Sequence, residues 1–117
     1  MLVSRADRLA EQLQREIAMI IHRELKDPRL GFVTIMRVEL SKDLSHAKVF
    51  FSCLGGADER RRCQHALDRG VRFVYGLLKK RLRLRITPAL VFQYDASIAE
   101  SLALEQMLDR LRRPDAG

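Results

Sequence analysis

Residues 30–54 read "LGFVTIMRVELSKDLSHAKVFFSCL", and the way this stretch folds decides the rest of the chain. It is rich in β-branched and aromatic residues, which suit a pleated, half-buried surface. The polar "SKDLS" at 41–45 interrupts it once. Two strands follow from that pattern, about 32–41 and 45–54, joined as a hairpin. In the first, Thr34, Met36, Val38 and Leu40 alternate with Val33, Ile35, Arg37 and Glu39. In the second, Ala47, Val49, Phe51 and Cys53 alternate with Lys48, Phe50 and Ser52. One face of each strand is the more apolar, which predicts a sheet covered by helices on one side.

Upstream, residues 4–26 carry Leu9, Leu13, Ile17, Ile20, Ile21 and Leu25 at three- and four-residue steps, the period of a half-buried helix. Ser4 and Asp7 form a capping pair at its start. Pro28 stops it, because the residue before a proline is pushed out of the helical region. Downstream, "GGADE" leads into a long helical pattern over 58–83 that includes Cys63, Ala66, Leu67, Val74, Leu78 and Leu82. Gly70 sits in its middle. It is either a packing glycine or the point where the pattern bends into two helices. A third strand follows at 88–95, "PALVFQYD". A last helix begins near Ser97, with Ser97 and Glu100 as a capping box and Ile98, Leu102, Leu104, Met107, Leu108 and Leu111 as its apolar residues. Residues 1–113 read as one domain and 114–117 as a polar tail.

The chain has 117 residues, of which 47% are hydrophobic and 32% charged, so it is neither a disordered nor a membrane composition. No apolar run is long enough to span a bilayer. The N-terminus carries charges where a signal peptide needs an apolar core, so a cytoplasmic protein is expected. Cys53 and Cys63 form no zinc pattern and read as two partly buried thiols.

Net charge is +7, and it is segregated. Between Arg60 and Arg85 stand ten Lys or Arg against one acid, Asp68, so this quarter carries +9 and the remainder −2. The densest part is "KKRLRLRITP" at 79–88, a helix end unwinding into an extended segment before Pro88. Cations at a helix C-terminus complement its dipole, which accounts for some of the five. Segregation on this scale points to a polyanionic partner.

With these elements in place, the sequence resembles the bacterial ribosome-binding factor A family. The likeness runs from about Arg5 to Leu108. It rests on Lys26-Asp27-Pro28-Arg29, the Val33-Thr34 pair, "LSKDLSHAKVF" at 40–50, and Arg85-x-x-Pro88 leading to Phe92 and Asp95. The resemblance implies an α+β, KH-like fold of the prokaryotic arrangement. That is a three-stranded sheet with helices on one face, in the order αββααβ, to which the reading above adds a C-terminal helix. It further implies a factor that binds free small (30S) ribosomal subunits and assists late maturation of 16S rRNA, including its 5′-end processing. Growth in the cold is associated with the family, and an assembly GTPase is a further candidate partner. Where ordinary KH domains clamp the nucleic-acid backbone with a GxxG loop, this family has a helix–kink–helix marked by Ala-x-Gly. Gly70-Val71-Arg72 occupies that place here, with the glycine moved to the first position and an arginine at the third.

The expected RNA-binding residues are therefore Arg60, Arg61, Arg62, Arg69, Gly70, Arg72, Lys79, Lys80, Arg81, Arg83 and Arg85. Phosphate contacts by such side chains give affinity through counterion release without reading sequence. Arg5, Arg8, Arg15 and Arg29 extend the basic surface, although acids on the first helix are spaced to pair with Arg15. No catalytic residue, metal ligand or cofactor site is expected, and the chain is expected to be a monomer. Two other readings remain. One is a general KH-like RNA-binding module with no ribosome role. The other is a metal-dependent nuclease gathering Asp27 and Asp95, although Asp27, Asp43 and Asp95 all sit where turn and capping roles would use them.

Overall fold

The structure is a computed structural model that describes residues 4–112; in its last helix, side chains are described at 96–97 and 105–111. The elements are α1 (Arg5–Arg23), β1 (Val33–Leu40), β2 (His46–Cys53), α2 (Ala57–Leu82), β3 (Ala89–Tyr94) and α3 (Ala96–Arg112). Helix α1 starts as expected, with Ser4 Oγ accepting the Asp7 N–H at 3.1 Å. Its buried stripe is Leu13, Ile17, Ile20 and Ile21.

The hairpin forms, with β1 antiparallel to β2. Strand β3 then joins β2 in parallel, giving the order β1-β2-β3. A parallel neighbour requires a crossover, and α2 supplies it. Helices α1 and α2 pack on one face of the sheet, over Val33, Ile35, Val38, Ala47, Val49, Phe51, Leu90 and Phe92. Phe51 lies at the centre, fully buried and edge-on to Tyr94 at 5.8 Å.

One strand departs from simple alternation. Ile35 pairs with Phe51 while Arg37 pairs with Phe50, so Met36 is an extra residue in β1, a β-bulge. Before the bulge the buried residues are Val33 and Ile35; after it they are Val38 and, in part, Leu40. The expected face of Thr34, Met36, Val38 and Leu40 is thus split, because one added residue shifts the two-residue period by one. The shift also turns Arg37 to the open side of the sheet. There its guanidinium lies 3.9 Å over the Phe50 ring and pairs with Asp95 at 2.6 Å.

Helix α2 is the second departure. Its hydrogen-bonded helix runs without interruption from Ala57 to Leu82, where the resemblance implied two helices meeting at Gly70. Gly70 is buried against the segment that follows α1. A Cβ built there would stand 2.9 Å from Leu25 Cδ1, so the glycine permits the close approach of that side chain. The helix ends at Arg83, which takes the left-handed conformation (φ +48), and the chain then leads to Pro88 and β3 as "KKRLRLRITP" suggested.

Helix α3 begins at Ala96, one residue before the expected Ser97. Asp95 caps it, accepting the Ser97 N–H at 3.1 Å and the Ser97 hydroxyl at 2.5 Å. Met107, Leu108 and Leu111 are exposed. The expected partner Glu100, the side chains of Ile98, Leu102 and Leu104, and the 114–117 tail lie outside the described residues. Cys53 and Cys63 are free thiols; Cys63 is buried, and burial pushes its thiol up to about 11.

Candidate nucleic-acid interface

On α2 the apolar residues Cys63, Ala66, Leu67, Val74 and Leu78 face the sheet. The cations face outward. Arg61, Arg72 and Lys79 fall eleven and seven residues apart, close to whole turns, and so lie on one line. Arg62, Arg69 and Lys80 fall seven and eleven residues apart, giving a second parallel row about a quarter-turn around the helix. All six are exposed, and the two rows extend about 27 Å at 1.5 Å per residue. Gly70, which the sequence grouped with them, lies on the buried face instead.

Three of the ten expected cations have partners. Arg60 stacks over the Tyr94 ring at 4.5 Å. Arg61 pairs with Asp58 at 2.6 Å, one turn back. Arg81 reaches across to α1, to Glu24 at 3.2 Å and Glu16 at 3.9 Å, so its charge ties the helices together. Among the described residues, Arg62, Arg69, Arg72, Lys79, Lys80, Arg83 and Arg85 make no salt bridge. These seven charges are not committed to an ion pair within the described fold and are available to a ligand. The expected pairing of Arg15 is not found among the described residues, and Glu16 pairs with Arg81. Arg29 is forked onto Asp27.

Beside the Arg72 row, a groove of about 400 Å³ opens between α2 and the start of β3, lined by Ser45, Val71, Arg72, Tyr75, Thr87 and Leu90 among others. Thr87 Oγ1 lies there and is the one buried side-chain oxygen or nitrogen without a hydrogen bond among the described residues. The groove therefore joins apolar walls, a half-buried tyrosine, an unspent hydroxyl and a cation at its rim. Sequence reasoning missed Ser45 and Thr87; only the parallel pairing of β2 with β3 brings the 45 and 87 segments together.

The carboxylates considered for a nuclease are spent locally. Asp27 accepts three bonds from Arg29, at 2.5–3.0 Å, and these hold its carboxyl down to about 2. Asp43 accepts from Ser45 and Ser41 within its turn, and these also hold it at about 2. Asp95 is lowered by the Ser97 bond first and by Arg37 as well. A carboxyl whose folded value lies below the ordinary 3.8 stabilises the fold above that pH, and the stabilisation is lost as pH falls toward the folded value. Stability is therefore expected to hold from neutrality to about pH 4 and to fall between about pH 4 and 2. Thermal melts across that range check it, and Asp27→Asn should flatten the fall.

A test of Gly70 arises from its packing. Alanine favours a helix interior by about 1 kcal/mol over glycine, and the atoms its Cβ would meet are the movable tips of Leu25. Gly70→Ala is expected to change stability by no more than about 1 kcal/mol and to leave RNA affinity unaltered. A large loss of affinity in the folded variant would mean that binding uses a bend at Gly70.

Comparison with known proteins places this geometry in context. Residues 5–108 match the family profile described as ribosome-binding factor A. The chain is 40% identical over 112 residues to ribosome-binding factor A of Thiobacillus denitrificans, covering 96% of this chain and 90% of that protein. It is 43% identical over 111 residues to the Desulfitobacterium hafniense protein of the same name, covering 95% and 89%. Among solved structures it is similar to crystalline ribosome-binding factor A of Thermus thermophilus, with a TM-score of 0.68, 34% identity, and 76% and 93% of the two chains covered. A homology model of the Thermus thermophilus factor, fitted into a cryo-EM map of its 30S complex, matches with a TM-score of 0.62 and 33% identity, covering 74% and 91%.

Proposed function

The chain belongs to the ribosome-binding factor A family, and from that premise we propose that it binds the free small ribosomal subunit and assists late maturation of 16S rRNA, including processing of its 5′ end, without catalysing a reaction. The observation that carries the RNA-binding part is the pair of cation rows on α2, continued by Arg83 and Arg85, whose charges, apart from that of Arg61 on Asp58, are not spent in salt bridges among the described residues. Phosphates along a folded rRNA segment lie on these rows, and the groove beside Arg72 accepts an unstacked base. The coordinates of the Thermus thermophilus factor in a 30S complex support the choice of particle.

The factor acts by holding one rRNA conformation. A ligand shifts such an equilibrium only by its differential affinity for the two states, so the protein binds the immature arrangement and leaves when the mature one forms. Wrong RNA pairings are harder to escape at low temperature, which places the need for the factor in the cold. It works in the cytoplasm as a monomer, residues 1–113 acting as one RNA-binding unit, with an assembly GTPase as a further candidate partner. The general RNA-binding reading is separated by co-sedimentation at moderate salt with free small subunits, free large subunits and intact ribosomes. Comigration with small subunits alone is expected. Equal retention on all three particles would reduce the protein to a general RNA binder.

A further inference from the structure

Two large apolar side chains stand in solvent at the end of the sheet remote from "KKRLRLRITP". Phe32 is 79% exposed and Leu54 is 73% exposed. They continue the β1–β2 register past Val33 and Cys53, with the Leu54 N–H donating to the Phe32 carbonyl at 3.3 Å. Residues directly opposite in an antiparallel pair share a face, so the two side chains project together.

The backbone is shaped to hold them there. Gly31, before Phe32, has φ +55, and Gly55, after Leu54, has φ +112. A Cβ at Gly55 would come within 2.6 Å of Glu59, so neither the turn nor its packing admits another residue readily. Both loops are also pinned: Arg29 to Asp27, the Cys63 thiol to the Leu30 carbonyl at 2.9 Å, and the Gly56 N–H to Glu59 at 2.9 Å. An apolar pair fixed in water by this many contacts is a surface kept for a ligand.

The surroundings say which ligand. Phe32 and Leu54 line a concavity of about 290 Å³ together with Pro28, Gly31, Glu59 and Arg62. Glu59 is committed to Gly56, whereas Arg62 makes no salt bridge among the described residues. Arg62 also begins the row that continues through Arg69 and Lys80. An aromatic face beside an uncommitted guanidinium, continuous with a phosphate-binding row, suits one ligand chemistry: an unpaired base stacked on the ring with its phosphate on the cation. An apolar protein segment would have no use for that charge.

We propose that Phe32, backed by Leu54, is a stacking platform for an unpaired RNA base, with Arg62 holding the adjoining phosphate. The proposal rests on the RNA-binding reading above and adds a single-stranded contact at the opposite pole from the basic tract.

The chain contains no tryptophan, so Phe32→Trp introduces a single reporter. The full-length variant is titrated with a fluorescein-labelled single-stranded RNA decamer of mixed sequence and with an abasic decamer, reading anisotropy and tryptophan emission together. Quenching by the first and none by the second is the expected result. Phe32→Ala should weaken binding of the base-bearing decamer about tenfold, in the range of one lost base stack, while leaving the melting temperature nearly unchanged. Binding by anisotropy without quenching overturns the platform and leaves the RNA-binding reading standing. Absence of any binding overturns both. Emission shielded on small subunits but not on naked RNA assigns the platform to a ribosomal protein and also overturns the proposal.

Discussion

Replacing Arg62, Arg69, Arg72, Lys79 and Lys80 together with glutamate is expected to lower affinity for small subunits by about a thousandfold at physiological salt. The size follows from counterion release. Each phosphate neutralised adds about 0.7–0.9 to the slope of log affinity against log salt, so five lost contacts remove a slope of about 4 and three to four decades of affinity near 0.15 M. The fold should survive, because all five side chains are exposed and none forms a salt bridge among the described residues. Arg81 is deliberately left in place. Reversing it would set a third acid against Glu16 and Glu24 and loosen α1 from α2, so lost binding could no longer be assigned to phosphate contacts. Sedimentation or anisotropy measured across a potassium chloride series gives both the affinity and the slope. A folded variant with wild-type values of both would remove the two rows from the interface.

The second large effect is on stability. Phe51→Ala should destabilise the protein by about 3–5 kcal/mol, the cost of truncating a fully buried phenylalanine and leaving a cavity. Phe51 is 0% exposed and lies on the central strand, edge-on to Tyr94 and paired across to Ile35. A domain of this size holds only about 5–15 kcal/mol in total, so the variant should melt some 10–25 °C lower, at several degrees per kcal/mol. Calorimetry checks it. Phe50→Ala, one residue away, should cost less, because Phe50, although only 7% exposed, lies outside the cluster packed under the helices and is covered by the Arg37 guanidinium. Equal losses for the two would mean that the assignment of faces in β2 is wrong.

Much of this protein was legible in its sequence. The helix over Arg5–Arg23, the hairpin, the lone third strand and the basic character of α2 are all local matters. Side-chain period, a capping serine, a stopping proline and a run of like charge act within a few residues of chain, and sequence spacing records them. The three-stranded sheet with helices on one face followed from the same signals and from the family resemblance.

What the sequence could not decide were the features set by contacts distant along the chain. Nothing near Met36 marks the bulge; it arises because Val33 and Ile35 on one side of it and Val38 on the other must all meet the same helices. Gly70 reads alike as a breaker or as a packing residue, and only Leu25, forty-five positions away, chooses between them. Charge is equally ambiguous. Arg81 and Arg83 look the same in "KKRLRLR", yet one is held by two acids of α1 and the other is left to solvent. The exposure of Phe32 and Leu54 was hidden for the same reason: their residue type predicts burial, and only packing shows that nothing in the described fold covers them. Local interactions determined the elements and where the charge lies, whereas tertiary contacts decided which charges and apolar side chains remain free to bind.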